Sequence, residues 1–447
     1  MNPIRAWGRR FQRLGSRSRT VGRRIHASIR SGKGTRGAPP GSESASLESR
    51  SVGLPSRHLV KPCGKPRPER IPPDMSEPAF ALAFSGGGFR ASLAAAGVLR
   101  FAADADLLSR VRYVSSVSGG SITHGLFAAA YRELERAAFA PAAVDKFVIL
   151  PLIREISHRS FQLRLVRHAG RLALGETRTE LLADMLERRF FRGCKLGQLS
   201  TECCFIFNAA NLSTGVRFTF EPERVGDYVI GYAKTTSRSG KALRLADAVA
   251  ASAAFPGAFS PLFLGGYDFP CGEDGDPPLV DGGAYDNLGL EAVGNLKPPT
   301  CLIALNAGGL FHTGFAGGIA VVGNLTRVNA LLYRQSTTLR SKIIVERFKA
   351  YEYAAKHQSL MPDFARRGVF FSLATTTKPT REWQADRPYA DETEIDRLAN
   401  LKTSFAKFSW ANCNALTYRG WWLAGATLSR FHRGLLPDEL PHWRALR

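Results

Sequence analysis

Two apolar runs of strand length, each closed by glycine and followed by a helical stretch, set the pattern where the apolar part of the chain begins. Phe80–Phe84 (FALAF) ends in Ser85-Gly86-Gly87-Gly88, and the alanine-rich residues 90–103 suit a helix packed closely on a sheet. Val111–Val117 ends in Ser118-Gly119-Gly120, and a second helical stretch runs on to about Glu135. A short apolar run bounded by turn residues reads as a buried strand. Strand, glycine turn and helix, twice in that order, predict an α/β layered fold with parallel strands. Residues 135–200 read as mostly helical and basic. Cys204–Asn208 and Val216–Phe220 read as strands around the turn Asn211–Gly215. Ala246–Ala254 is a small-residue helix stopped by Pro256, and the strand Leu279–Val280 ends at Asp281-Gly282-Gly283. Cys301–Leu305 is another buried strand. Beyond it, helices are expected at about 322–346, 391–408 and 414–428, with a strand at Val369–Leu373. No internal repeat is visible.

Residues 1–76 break this pattern, being rich in Arg, Ser, Gly and Pro with little to bury. The chain therefore divides into a basic arm (1–76), a core (77–310) and a mainly helical C-terminal part packed on the core (311–447). Charge sharpens the division. Of the formal net charge of +23 over 447 residues, +14 falls in residues 1–70, from 17 Lys and Arg against 3 Glu. Such an arm suits an anionic partner surface, either membrane lipid or nucleic acid. Ile4, Trp7, Phe11 and Leu14 recur at helical spacing, with Arg5, Arg9, Arg10 and Arg13 off that stripe. This is the pattern of a membrane-interface anchor and equally of a mitochondrial presequence; a merely solvated tail is the plain alternative. The longest uncharged stretch, Ala248–Tyr267, is interrupted by Pro256 and Pro261 and does not read as a membrane span. The seven cysteines are scattered without a CxxC spacing, which fits a reducing compartment best.

Three glycine turns carry the candidate chemistry. In Ser116-Val117-Ser118-Gly119-Gly120, Ser118 stands on a sharp strand-to-helix turn, where positions two before and two after must be small. Ser116 replaces the first glycine of the usual GxSxG. The helix that follows points its N-terminus at developing negative charge. The loop Gly86-Gly87-Gly88 offers unobstructed N–H groups to an oxyanion. Gly86-x-Gly88-x-x-Ala91 also fits a dinucleotide fingerprint, but the next strand ends in serines and not in the acid that would hold a ribose. Asp281, at a strand end before two glycines, can reach Ser118 as its base, with a turn aspartate as the bland alternative. Glu273, Asp274 and Asp276 lack calcium-loop spacing and read as solvated.

Taken in order, glycine loop, serine elbow and DGG block resemble the patatin-like phospholipase family. SGGGFRA, running into an alanine-rich helix, also looks like the catalytic domain of cytosolic phospholipases A. The turn Asn208–Gly215, the segment ASAAFP (251–256) and DGGAYDNLGLEAV agree with that resemblance. It covers roughly residues 78–310 and leaves the arm outside. It implies a three-layer α/β/α fold with a mostly parallel central sheet and a helical C-terminal extension. It further implies a serine acyl-ester hydrolase acting on lipid esters, with Ser118 as nucleophile and Asp281 as base. Gly86, Gly87 and Gly88 become the oxyanion loop, Gly119 lies just beyond the nucleophile, and Arg90 either neutralises a phosphate headgroup or braces the loop. No cofactor and no metal are implied. The expected partners are a lipid ester and, through the arm, an anionic membrane surface, not nucleic acid. The expected location is cytoplasmic and peripherally membrane-bound, or mitochondrial if the arm is a presequence. Rival readings are an acyltransferase on the same dyad, a triad using His312 with His124 as packing, and a non-catalytic lipid- or nucleic-acid-binding protein.

Overall fold

The structure, a computed structural model, describes residues 63, 78–158, 175–272, 275–309, 320–376, 379–384 and 391–446. The arm apart from Cys63, and with it the amphipathic stripe and both of its expected destinations, lies outside the described residues. So do Glu273, Asp274 and His312. The strands are β1 (Phe80–Phe84), β2 (Val111–Val117), β3 (Cys204–Asn211), β4 (Val216–Phe220), β5 (Arg224–Asp227), β6 (Gly231–Lys234), β7 (Leu262–Phe263), β8 (Pro278–Asp281), β9 (Cys301–Asn306) and β10 (Arg367–Ser372). The longer helices are α1 (Gly88–Asp104), α2 (Gly119–Ala129), α3 (Leu245–Ser252), α4 (Ala320–Lys356), α5 (Glu392–Ala399) and α6 (Trp410–Phe431).

All ten strands join one sheet, in the order β10-β9-β1-β2-β3-β4-β5-β6, with β8 added on β3 and β7 on β8. The five strands β10, β9, β1, β2 and β3, which take up one side of the sheet, run parallel. The rest are added antiparallel, starting with the β3–β4 hairpin. The layering follows from strand alternation. Phe80, Leu82 and Phe84 of β1 face one core with α1, α2, α3 and α6. Ala81 and Ala83 face a second core that holds Ile344 and Phe348 of α4. Helices thus cover both faces, as a largely parallel sheet requires.

The alanines of α1 have a direct cause. The helix is buried on nearly every side, between the sheet and α6. A Cβ on Gly97 would stand 1.9 Å from the Thr417 carbonyl oxygen, and one on Gly420 would stand 2.0 Å from that of Ala94. Only small side chains let these helices approach so closely.

Three differences from the sequence reading have physical reasons. The helix expected over 391–408 stops at Ala399, because the carbonyls of Leu401 and Ser404 accept from Arg90 and from the Phe89 N–H. The helix expected at 322–346 continues to Lys356, with Ile344 and Phe348 anchoring it. Cys63 and Cys271, 208 residues apart, form a disulfide, which withdraws the support that free thiols gave to a reducing compartment. Nothing in the spacing of scattered cysteines announces such a long-range pair. Among the described residues, no helix is long and apolar enough to cross a membrane.

Candidate active site

The register on β3 brings Ser118 and Asp281 together. β2 ends with Val117 paired to Asn208. β8 arrives antiparallel on the same edge of β3, with Asp281 paired to Ala209. The two strands therefore meet end to end, and their terminal residues share one point above the sheet. There the chain reverses at Ser118, with φ of +53° and ψ of −122°. A non-glycine residue in this region stores strain of about 1–3 kcal/mol. Gly120 shows why the flank must be small: a Cβ there would lie 2.7 Å from the Ser85 carbonyl oxygen.

A buried polar relay holds this strained turn. The Ser118 N–H donates to both the carbonyl oxygen and the Oγ of Ser252, at 3.1 and 3.0 Å. Ser252 Oγ donates to the Asn208 carbonyl at 2.7 Å and meets Ser121 Oγ at 2.9 Å. Ser116 Oγ continues the chain to Ser121 Oγ at 2.9 Å and to His124 Nδ1 at 2.7 Å. Ser116, where glycine is usual, is thus tied into the relay. His124 is fully buried and stacked on Phe207, with ring centroids 4.1 Å apart. Burial drives its imidazole well below the ordinary range, so the ring is neutral.

Asp281 is 2% exposed. It accepts from the Gly283 N–H at 2.8 Å, with Ser118 beside it at the meeting of β2 and β8. Burial pushes its carboxyl up to about 6, against the opposing pull of the Ser118 side chain and the Gly283 N–H. Tyr333 of α4 reaches over the turn: a Cβ on Gly283 would stand 2.6 Å from its Cε1. Asp286 plays a different part, accepting from the N–H groups of Leu288 and Glu291 and facing Arg340 at 3.6 Å.

The glycine loop lies against the elbow. A Cβ on Gly119 would stand 2.0 Å from the Gly88 carbonyl oxygen, so the N-termini of α1 and α2 converge. Gly88 itself has φ of +60° and sits against the Ser404 backbone. The Gly86 N–H is engaged by the Asn287 carbonyl at 3.0 Å, whereas those of Gly87, Gly88 and Gly119 have no acceptor among the described residues. Arg90 is 1% exposed. Its guanidinium uses all five N–H donors on the carbonyls of Ala307, Ala399 and Leu401 and on Thr403 Oγ1. Of its two expected roles, the geometry therefore gives the brace, and leaves no donor for a headgroup.

Residues 82–293 match the family model described as patatin-like phospholipase. This stretch is a patatin-like phospholipase domain. No curated protein sequence matches the chain. Among solved structures, human GIVD cytosolic phospholipase A2 is similar with a TM-score of 0.44 and 13% identity, over 80% of this chain and 60% of that one. The same human protein in complex with methyl gamma-linolenyl fluorophosphonate gives 0.43 and 15%, over 80% and 59%. VipD from Legionella pneumophila gives 0.30 and 13%, over 73% and 67%. The chain thus spans about 60% of the length of the human phospholipase.

The patatin-like domain reaches beyond its matched stretch for part of its site. Tyr333, Thr403 and Ser404 come from the C-terminal part and touch the DGG turn, Arg90 and Gly88. No local signal in the sequence marks them. Ser252 could have been found, since it lies in ASAAFP (251–256) beside the DGG strand.

Proposed function

We propose that the protein is a serine acyl-ester hydrolase acting on lipid esters, with Ser118 as nucleophile and Asp281 as general base. The observation that carries this reading is a juxtaposition. A serine held at φ +53° stands where β2 and β8 meet, beside the buried carboxylate of Asp281, whose pKa burial raises to about 6. Strain aims the oxygen outward, and the raised basicity suits the carboxylate to take its proton near neutral pH.

In this mechanism Ser118 Oγ attacks the ester carbonyl while its proton passes to Asp281. The N–H groups of Gly87, Gly88 and Gly119, at two helix N-termini, stabilise the oxyanion; one such donor is typically worth about 2.7–4 kcal/mol. Asp281 returns the proton to the leaving alcohol. It then takes a proton from the water that attacks the acyl-serine carbonyl and passes it to Ser118 Oγ as the acid leaves. The neutral His124, held on the far side of Ser116, takes no proton. The lipid class of the substrate rests on the patatin-like domain.

The test is labelling with a fluorophosphonate probe. Wild type is expected to label, Ser118→Ala to give no signal, and Asp281→Asn to fall by orders of magnitude. Labelling that persists in Ser118→Ala would sink the assignment of the nucleophile.

A further inference from the structure

Tyr333 stands at the site without a task in acyl transfer by the dyad. Helix α4 holds it over the DGG turn by further contacts on the same face. Ser336 Oγ donates to the Tyr285 carbonyl at 2.9 Å, and Arg340 faces Glu291 at 3.0 Å and Asp286 at 3.6 Å. Positions 333, 336 and 340 follow helical spacing, so the three side chains meet the turn together. Phe255 packs on the Tyr333 ring, with centroids 5.6 Å apart. The point where a Cβ on Gly283 would stand lies 2.6 Å from Tyr333 Cε1 and 3.0 Å from Asp281 Oδ1, so ring edge and carboxylate share one corner. Cε1 is bonded to the carbon that bears the hydroxyl, which brings the hydroxyl close to that corner. There it is buried and has no hydrogen-bond partner among the described residues. A buried donor left without an acceptor is costly, and an acceptor on a bound molecule removes that cost. Burial and the charge of Asp281 both push the phenol up from its ordinary value, so it stays protonated and available as a donor.

The arrangement around Ser118 says which substrate atom this donor meets. The glycine loop flanks the serine on the oxyanion side, a Cβ on Gly86 standing 3.1 Å from Ser118 Cβ. Asp281 flanks it from the end of β8. Because Asp281 hands its proton to the leaving alcohol, the alcohol departs on the side of the carboxylate, which is the side Tyr333 covers. We infer that the Tyr333 hydroxyl is a further catalytic group, donating a hydrogen bond to the alcohol oxygen as the ester C–O bond breaks. The electron pair of that bond goes to the alcohol oxygen, Asp281 supplies the proton that completes the alcohol, and Tyr333 keeps its own. An alkyl alcohol leaves poorly and gains from a second donor, whereas an acidic aryl alcohol has little need of one. The inference rests on the proposed Ser118–Asp281 mechanism and points to esters of alkyl alcohols as its substrates.

The experiment compares full-length wild type and Tyr333→Phe on two soluble butyrate esters, one of glycerol and one of p-nitrophenol. The deciding quantity is the ratio of kcat/KM on the alkyl ester to that on the aryl ester, expected to fall at least about tenfold in the variant. Phenylalanine keeps the ring and removes only the unpaired hydroxyl, so the variant should melt no lower than wild type. A merely structural role would lower turnover of both esters together and leave the ratio alone. An unchanged ratio, with turnover still dependent on Ser118, overturns the inference and leaves the dyad standing. Turnover that persists in Ser118→Ala overturns the dyad and the inference with it. A clear drop in melting would show that the hydroxyl already has an acceptor in the free protein, which also overturns the inference.

Discussion

Replacing Asp281 by Asn should stop turnover and, above about pH 6, make the fold more stable. The carboxyl titrates near 6 in the folded protein against an ordinary value of 3.8, and burial is the cause. The folded state therefore binds this proton more tightly than the unfolded chain does. The stability this group contributes is fully present below about pH 3.8, declines as pH rises, and is lost above about pH 6. The loss comes to about 3 kcal/mol, because each tenfold change in proton affinity between folded and unfolded chain is worth about 1.4 kcal/mol. Asparagine keeps the shape and does not ionise. Its amide NH2, buried with no carboxylate function to serve, reduces the gain by about 1–2 kcal/mol. That reduction does not vary with pH, so the decisive quantity is the change in the difference. Urea melts of Ser118→Ala and Ser118→Ala/Asp281→Asn at about pH 4 and about pH 8 measure it, with turnover absent from both. The double variant should gain about 2–3 kcal/mol on its parent between the two conditions. A difference that stays flat across that window would refute the claim that Asp281 is a buried, reluctantly ionised base. In the active enzyme the same titration should appear as an acid limb near pH 6 in kcat/KM on a soluble ester.

Two further outcomes follow from the site. Ser118→Gly should be inactive yet about 1 kcal/mol more stable than Ser118→Ala, since glycine alone relieves the positive φ; equal melting of the two would mean the turn is unstrained. Arg90→Lys should lose about 3 kcal/mol or more and depress fluorophosphonate labelling, because one ammonium cannot serve five donor positions; wild-type melts and labelling would show that the loop needs no brace.

The layered fold was legible because the chain states it locally. Phe80–Phe84 and Val111–Val117 are strands by composition, and a glycine turn closes each. The places of Ser118 and Asp281 were legible for the same reason, the first following the last residue of β2 and the second ending β8. What was hidden is long-range. Arg90 could be read as a headgroup ligand until Ala307, Ala399, Leu401 and Thr403 were seen to take up its donors. Tyr333 carries no motif and matters only because α4 crosses the DGG turn. Strands β5 and β6 were missed, being four residues each and broken by Gly226 and Gly231. The Cys63–Cys271 pair joins positions 208 residues apart, which no spacing rule connects.

The end-to-end meeting of β2 and β8 makes β3 a ruler. Both halves of the site are measured off along one ladder, at Asn208 and Ala209, so a slip of one residue by β8 would turn Asp281 to the opposite face of the sheet. The segments that join these strands are under no such control. Loops between β4 and β8 can lengthen or shorten while the two marks on the ruler stay fixed. Relatives of this domain should therefore differ widely in loop length there and hardly at all in how β8 is registered on β3.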